Sequence, residues 1–198
     1  MQYLVVAATA LLCFVFCELA WAGDYEDGLA AAKRGDSATA IRLWTPLADH
    51  GNPQAQYDLG WLYHMGNGVP KDCSKAIKWW NKAGNNGHRV AQHNIAVDYA
   101  TGTCLPKNYD KAVVWYRLAA KNGYAPAQNN LAVMYDNGTG VPKSNVRAYM
   151  WWTLAIENGH ERAPQFRAEI ASNMTSSEIA EAKKSARDCR NSNFKKCE

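Results

Sequence analysis

The fold is decided by a stretch that occurs three times, first as GNPQAQYDLGWLYHMGNGVPKD over residues 51–72. It returns as GHRVAQHNIAVDYATGTCLPKN over 87–108 and as GYAPAQNNLAVMYDNGTGVPKS over 123–144. Each copy begins 36 residues after the last, and the glycine, alanine–glutamine, tyrosine and proline–lysine columns never lose register. A fixed period over many independent columns is the signature of stacked supersecondary units. The sequence therefore predicts a repeat protein.

Each repeat is predicted to hold two helices. Asn52-Pro53 suits the start of the first helix, and apolar residues then recur at helical spacing at Ala55, Leu59 and Tyr63. Gly60 lies beside this stripe, where it would allow another helix to approach closely. A glycine-rich turn follows, and the second helix starts near Asp72 with an apolar face. We expect the periodic Trp79, Trp115 and Trp151 to be core residues, because neither helix can bury its stripe alone.

The period also divides the chain. We expect an export signal over 1–22, a trimmed first repeat over 23–51, and full repeats over 52–87, 88–123 and 124–159. Residues 160–198 should form two capping helices and a basic tail, since the open apolar end of a repeat stack must be closed. Thr175 and Glu178 have the spacing of a capping box at the start of the last helix.

The first 22 residues are typical of a secretory signal peptide. Leu4 to Phe16 is an apolar run broken only by Thr9, and Ala20-Trp21-Ala22 offers a small-residue cleavage site. The run is short for a membrane span, which takes about 20 apolar residues. We expect cleavage after Ala22, a periplasmic or secreted protein, and no membrane span afterwards. An uncleaved N-terminal anchor is the alternative, because this segment contains no lysine or arginine.

The charge balance does not indicate nucleic acid as a partner. After residue 22 the chain has 22 basic and 17 acidic residues, a mild excess concentrated near the C-terminus. Such a basic end is typical of a solvated helix face and a frayed tail. We therefore expect no nucleic-acid binding.

Four cysteines remain after the signal: Cys73, Cys104, Cys189 and Cys197. They allow three pairings, and we favour Cys73–Cys104 and Cys189–Cys197, because each pair should be close in the repeat stack. A metal site is the alternative, but the sequence has no C-x-x-C and no Cys/His spacing suited to zinc. We expect structural disulfides, no metal and no cofactor.

The repeated residues resemble the Sel1-like repeat family, whose units are related to the tetratricopeptide repeat. The resemblance is carried by Ala55, Leu59-Gly60, Tyr63 and Gly66 to Asp72, continues through Ala76 and Trp79, and returns at 127–159. It implies an all-α, right-handed α/α solenoid of helical hairpins that binds proteins or envelope glycans. Some cysteine-rich members are described as β-lactamases or penicillin binders. That resemblance implies the alternative function, a hydrolase acting on β-lactams or cell-wall peptides.

Catalytic motifs are absent from the sequence or incomplete. There is no G-x-S-x-G, phosphate loop or H-E-x-x-H, and His160-Glu161 lacks the second histidine. Ser192 and Lys195 match S-x-x-K, but no companion motif accompanies them. We expect no catalytic residues and a non-catalytic role.

The candidate partner surface is the non-core face of the first helix in each repeat, where the repeats differ from one another. First helices usually line the inner surface of such superhelices, and exposed aromatic residues there suit a peptide or glycan. We expect an adaptor in the bacterial envelope that binds an envelope protein or peptide, with peptidoglycan as the alternative partner. The candidate partner-binding residues are Tyr57, Asp58, Trp61, His64, His93, Asn94, Val97, Asn129, Asn130 and Val133.

The disulfide pattern gives the first prediction. Mass mapping of unreduced peptides should find Cys73 linked to Cys104 and Cys189 linked to Cys197. A Cys73–Cys189 link would contradict the repeat register, because it would join positions that the register separates.

Overall fold

The computed structural model describes residues 23–195 and Cys197. All regular elements in this part of the chain are helices, as the sequence predicted. Residues 1–22, which the sequence predicts to be a signal peptide, lie outside the described residues. The described residues form two compact units, the first ending at Ala83 and the second beginning at Gly84.

The helices follow one another with short connections. A helical segment over 23–33, here α1, precedes the helices that complete the order: α2 (Ser37–Asp49), α3 (Pro53–Met65), α4 (Cys73–Asn85), α5 (Arg89–Thr101), α6 (Tyr109–Lys121), α7 (Ala125–Asn137), α8 (Asn145–Glu157), α9 (Ala163–Ala171) and α10 (Ser176–Asn191). We call α3, α5, α7 and α9 the first helices, and α4, α6, α8 and α10 the second helices.

The predicted helix ends are confirmed. The Asn52 side chain accepts a hydrogen bond from the Ala55 amide at 2.9 Å, and Pro53 opens α3. Gly66 ends α3 in the left-handed conformation, and Gly102 and Gly138 do the same for α5 and α7. Glycine suits these positions because a side chain there would strain the backbone.

The most deeply buried aromatic column is not the predicted one. Trp44, Trp80, Tyr116 and Trp152 are 36 residues apart and at most 4% exposed. Of the tryptophans expected in the core, Trp151 is buried, while Trp79 and Trp115 are only partly buried. Trp115 packs against the core of the second unit and Trp79 against the core of the first. The indole N–H of Trp80 donates to the Tyr57 carbonyl at 3.1 Å, which lets a polar group be buried without loss of a hydrogen bond.

Three buried glutamines connect α3, α5 and α7 to the helix that precedes each of them, namely α2, α4 and α6. The amide nitrogens of Gln56, Gln92 and Gln128 donate to the carbonyls of Ala48, Gly84 and Ala120, at 2.8, 2.8 and 3.0 Å. These carbonyls lie at helix C-termini, where no partner within the helix is available. The glutamines are at most 3% exposed, so each of these buried amides has its hydrogen-bond partner within the protein.

The C-terminal helices are tied to the second unit. The predicted capping box is present, with the Thr175 amide and the Glu178 side chain in hydrogen-bond contact at 2.7 Å. Helix α10 packs on α8, and Cys189 at its end is fully buried and disulfide-bonded to Cys197, as predicted. Cys73 lies in the first unit and Cys104 in the second, and their pairing stays a prediction. None of the described helices combines the length and apolar character needed to cross a membrane.

Gly60 gives a test of the packing in the first unit. A Cβ atom on Gly60 would overlap the indole ring of Trp80, which is 1% exposed. Overpacking costs about 1–3 kcal/mol, and alanine returns up to ~1 kcal/mol of helix propensity. Gly60→Ala should therefore lower the free energy of unfolding by about 1–2 kcal/mol, measured by urea denaturation.

The control is Ser74→Ala, an exposed substitution in α4 that should change stability by less than about 0.5 kcal/mol. A Gly60→Ala protein as stable as the wild type would show that Trp80 does not need this close approach.

Candidate binding clefts on the first helices

An apolar cleft of about 430 Å³ lies on the second unit between α5 and α7. Three of the predicted partner residues, Val97, Asn130 and Val133, line it. Tyr109 and Tyr116 are contributed by the second helix α6. The complete lining, which defines what we call the apolar cleft, is Val97, Ala100, Thr101, Tyr109, Tyr116, Asn130, Val133, Met134, Asn137 and Thr139.

A second cleft of about 480 Å³ adjoins the first, since Val133 lines both. Its other residues come from the end of α7, the following turn, α8 and the closing helix α9. Two carboxylates and one ammonium group face it together with an aromatic pair. We call it the acidic cleft, and it is lined by Val133, Asp136, Lys143, Asn145, Trp152, Phe166, Glu169, Ile170 and Asn173.

A hydrogen-bonded chain runs beneath these two clefts. The Trp152 indole donates to Asn129 Oδ1 at 3.1 Å, and Asn129 Nδ2 donates to Asn130 Oδ1 at 3.3 Å. Asn130 Nδ2 in turn donates to the Tyr116 hydroxyl at 3.2 Å. Asn129 is only 9% exposed, and its two hydrogen bonds hold Trp152 and Asn130 in place. Asn130 lines the apolar cleft.

His93 is half-buried and packs against two aromatic rings. Its ring centroid lies 5.6 Å from that of Tyr116 and 5.2 Å from that of Tyr124. The buried Nδ1 makes no hydrogen bond to the described residues. Burial lowers the His93 pKa from 6.5 to about 4, so the ring is neutral at physiological pH.

The first unit has its own cleft of about 480 Å³, which we call the N-terminal cleft. Asp58 and Trp61 of α3 line it together with Leu29, Lys33 and Trp44. Trp61 is 41% exposed, whereas Asp58 accepts hydrogen bonds from the Tyr25 hydroxyl at 2.7 Å and from Gln54 at 3.1 Å. Burial raises the pKa of the Asp58 carboxyl, and these two hydrogen bonds oppose the rise.

The remaining predicted residues are placed less directly. Tyr57 is half-buried, and its carbonyl accepts a hydrogen bond from the Trp80 indole. It is not among the residues that line the N-terminal cleft. The His64 ring lies between those of Trp61 and Trp80, with centroids 6.5 and 4.8 Å away. Asn94 is half-buried on α5 outside the apolar cleft. The predicted face therefore divides into cleft-lining residues, namely Asp58, Trp61, Val97, Asn130 and Val133, and supporting ones.

Sequence reasoning missed the cleft residues that come from other helices. Tyr109 and Tyr116 lie on the second helix α6, and Phe166 lies on α9 beyond the last full repeat. Tyr116 could have been found, because it takes the place of tryptophan in the column of Trp44, Trp80 and Trp152. Phe166 lies 36 residues after Asn130, in the column of Asp58 and Asn94, but it follows the last full repeat, so a comparison of the full repeats did not include it.

A family model described as Sel1 repeat matches four consecutive segments of the chain, over residues 17–52, 53–88, 89–124 and 125–160. Its first segment overlaps the trimmed repeat that we expected over 23–51. No curated protein matches the chain.

Two solved structures show the same architecture. A Sel1 repeat protein from Oxalobacter formigenes is 27% identical with a TM-score of 0.71, and the match covers 86% of this chain and 77% of that protein. The protein c5321, a protective antigen of uropathogenic Escherichia coli with an SLR fold, is 25% identical with a TM-score of 0.58. That match covers 86% of this chain but only 45% of c5321. These neighbours confirm the all-α repeat fold.

The burial of His93 makes stability depend on pH. Its folded pKa of about 4 is below the ordinary 6.5, so between these values the unfolded state binds a proton that the folded state does not. Stability should therefore fall as the pH drops through this window, by about 2 kcal/mol at pH 4.5 from this group. Urea unfolding at pH 7.0 and 4.5 should show a smaller loss in His93→Phe.

His93→Gln, which also cannot take up a proton, separates charge from packing. An equal pH-dependent loss in the wild type and both variants would contradict the assignment to His93.

Proposed function

Because the chain belongs to the Sel1 repeat family, whose fold is known for protein–protein interaction, we propose that it is an exported, non-catalytic adaptor of the bacterial envelope. Its partner is another envelope protein, bound through a segment that lies across α5, α7 and α9. In this proposal the apolar cleft and the acidic cleft form one binding surface. The N-terminal cleft, with its exposed Trp61, is a separate candidate contact on the first unit.

The apolar cleft is the observation that carries this proposal. It brings apolar atoms of Val97, Val133 and Met134 together beside two tyrosines, with Asn130 as the polar group. An amide can both donate to and accept from a peptide backbone, so Asn130 suits an extended segment. Filling such a cleft with one leucine or phenylalanine side chain contributes roughly 1.5–3 kcal/mol.

Export is supported by two separate features. The Cys189–Cys197 disulfide is of a kind that persists in the periplasm and outside the cell. The apolar segment Leu4 to Phe16 and the small residues Ala20 and Ala22 have the pattern of a cleaved signal. The two solved structures described above come from bacteria, which is consistent with a bacterial envelope.

A crosslinking capture from intact cells of the native host tests the proposal. The wild type should retain one specific envelope protein, and Val97→Glu/Val133→Glu should lose it, because two carboxylates would enter the apolar cleft. Val114→Glu is the matched control, since Val114 is 54% exposed on α6 and lies outside the clefts.

Thermal unfolding of each variant shows whether loss of capture reflects loss of fold. Equal capture by a folded Val97→Glu/Val133→Glu protein would overturn the proposed surface. Capture lost equally with Val114→Glu would also count against it.

A further inference from the structure

We propose that the bound segment carries a lysine or arginine about three residues from its apolar anchor, and that the acidic cleft holds this cation. The inference rests on the proposed function and names the chemistry of the partner. It follows from the different linings of the two adjoining clefts.

The two clefts are adjacent parts of one surface. Val133 lines both, so a segment whose apolar side chain contacts Val133 in the apolar cleft reaches the acidic cleft next. Neighbouring packed helices are about 8–10 Å apart, and a segment in the polyproline II conformation advances about 3.1 Å per residue with about three residues per turn, so side chains three residues apart lie on one side of it. A side chain about three residues along the segment would therefore meet the acidic cleft.

The charge of the two linings differs. The residues of the apolar cleft include no ionisable acid or base apart from its two tyrosines, so it selects an uncharged side chain. The lining of the acidic cleft presents Asp136 and Glu169 against one cation, Lys143, a formal charge of −1, while Arg162 lies outside the lining with its guanidinium against Phe166. Glu169 and Lys143 are exposed and Asp136 is half-buried, so both carboxylates can meet a ligand. A basic side chain complements this charge, and an acidic one would be repelled.

The aromatic wall of the acidic cleft also suits a cation. The rings of Trp152 and Phe166 are stacked with centroids 5.9 Å apart. The guanidinium carbon of Arg162 already lies 5.2 Å from the Phe166 centroid, which shows that this ring accepts a cation–π contact. A guanidinium or ammonium group brought in by a partner would meet the two carboxylates beside the Trp152–Phe166 pair, where Arg162 already makes a cation–π contact with Phe166.

The experiment is a selection from random 12-residue peptides displayed on phage, using the purified disulfide-bonded protein. Selected peptides should share a large apolar residue with lysine or arginine about three positions away. Selection on Asp136→Lys/Glu169→Lys should instead enrich aspartate or glutamate at that position. Glu26→Lys/Glu161→Lys is the matched control, because it adds the same charge at exposed positions outside the clefts and should keep the preference for a basic residue.

A selected peptide is then measured alone by fluorescence anisotropy. Asp136→Asn/Glu169→Gln should weaken its binding by about 10-fold, an effect expected for the loss of two exposed charge contacts. Peptides that require Val133 but show no charge preference would overturn this inference and leave the proposed function standing. Failure to select any peptide that Val97→Glu/Val133→Glu rejects would overturn both.

Discussion

The hydrogen bond from each buried glutamine to the end of the preceding helix is the constraint on which the rest of the structure depends. Gln56, Gln92 and Gln128 are almost wholly removed from water, so an unpaired amide would cost about 1–3 kcal/mol. Each instead donates to a carbonyl near the end of a helix, and that carbonyl also accepts the backbone amide of Gly51, Gly87 or Gly123. The oxygens of Gln92 and Gln128 also accept from Asn122 and Asn158, at 3.0 Å in each case. In the second unit the Gln128 contact holds α7 in one position on α6.

This constraint separates the residues that form the fold from those that can form a site. The alanine, leucine and glutamine columns of the first helices face the core, where Ala55, Leu59, Ala91 and Ile95 are fully buried. Val97 and Val133 are only partly buried: they pack against the edge of the core and also line the apolar cleft. Their side chains can vary from repeat to repeat without loss of the hairpin contacts. The clefts therefore lie on the face of the first helices that the alanine, leucine and glutamine columns do not occupy.

The sequence predicted part of the candidate site. It did not predict which residue accepts the hydrogen bond of each buried indole N–H group. Comparison of the repeats was enough to place Val97, Asn130 and Val133 on a variable face, and all three line the apolar cleft. The same comparison put Asn129 on that face. The Trp152 indole needs an acceptor, however, and Asn129 supplies it from a buried position. In the first unit Trp80 uses the Tyr57 carbonyl instead, so equivalent columns do not have equivalent roles.

The sequence by itself determined the helical hairpins, their 36-residue period, their capping residues and the Cys189–Cys197 pair. These features depend on local rules: apolar spacing, glycine in the left-handed conformation, and side chains that cap the next few amides. Only the tertiary structure decided which aromatic column is most deeply buried, and that Tyr109, Tyr116 and Phe166 complete the clefts. A cleft is a gap between side chains of different helices, so its lining depends on helix rotation and ring orientation. Packing sets both of these, and no spacing along one helix encodes them.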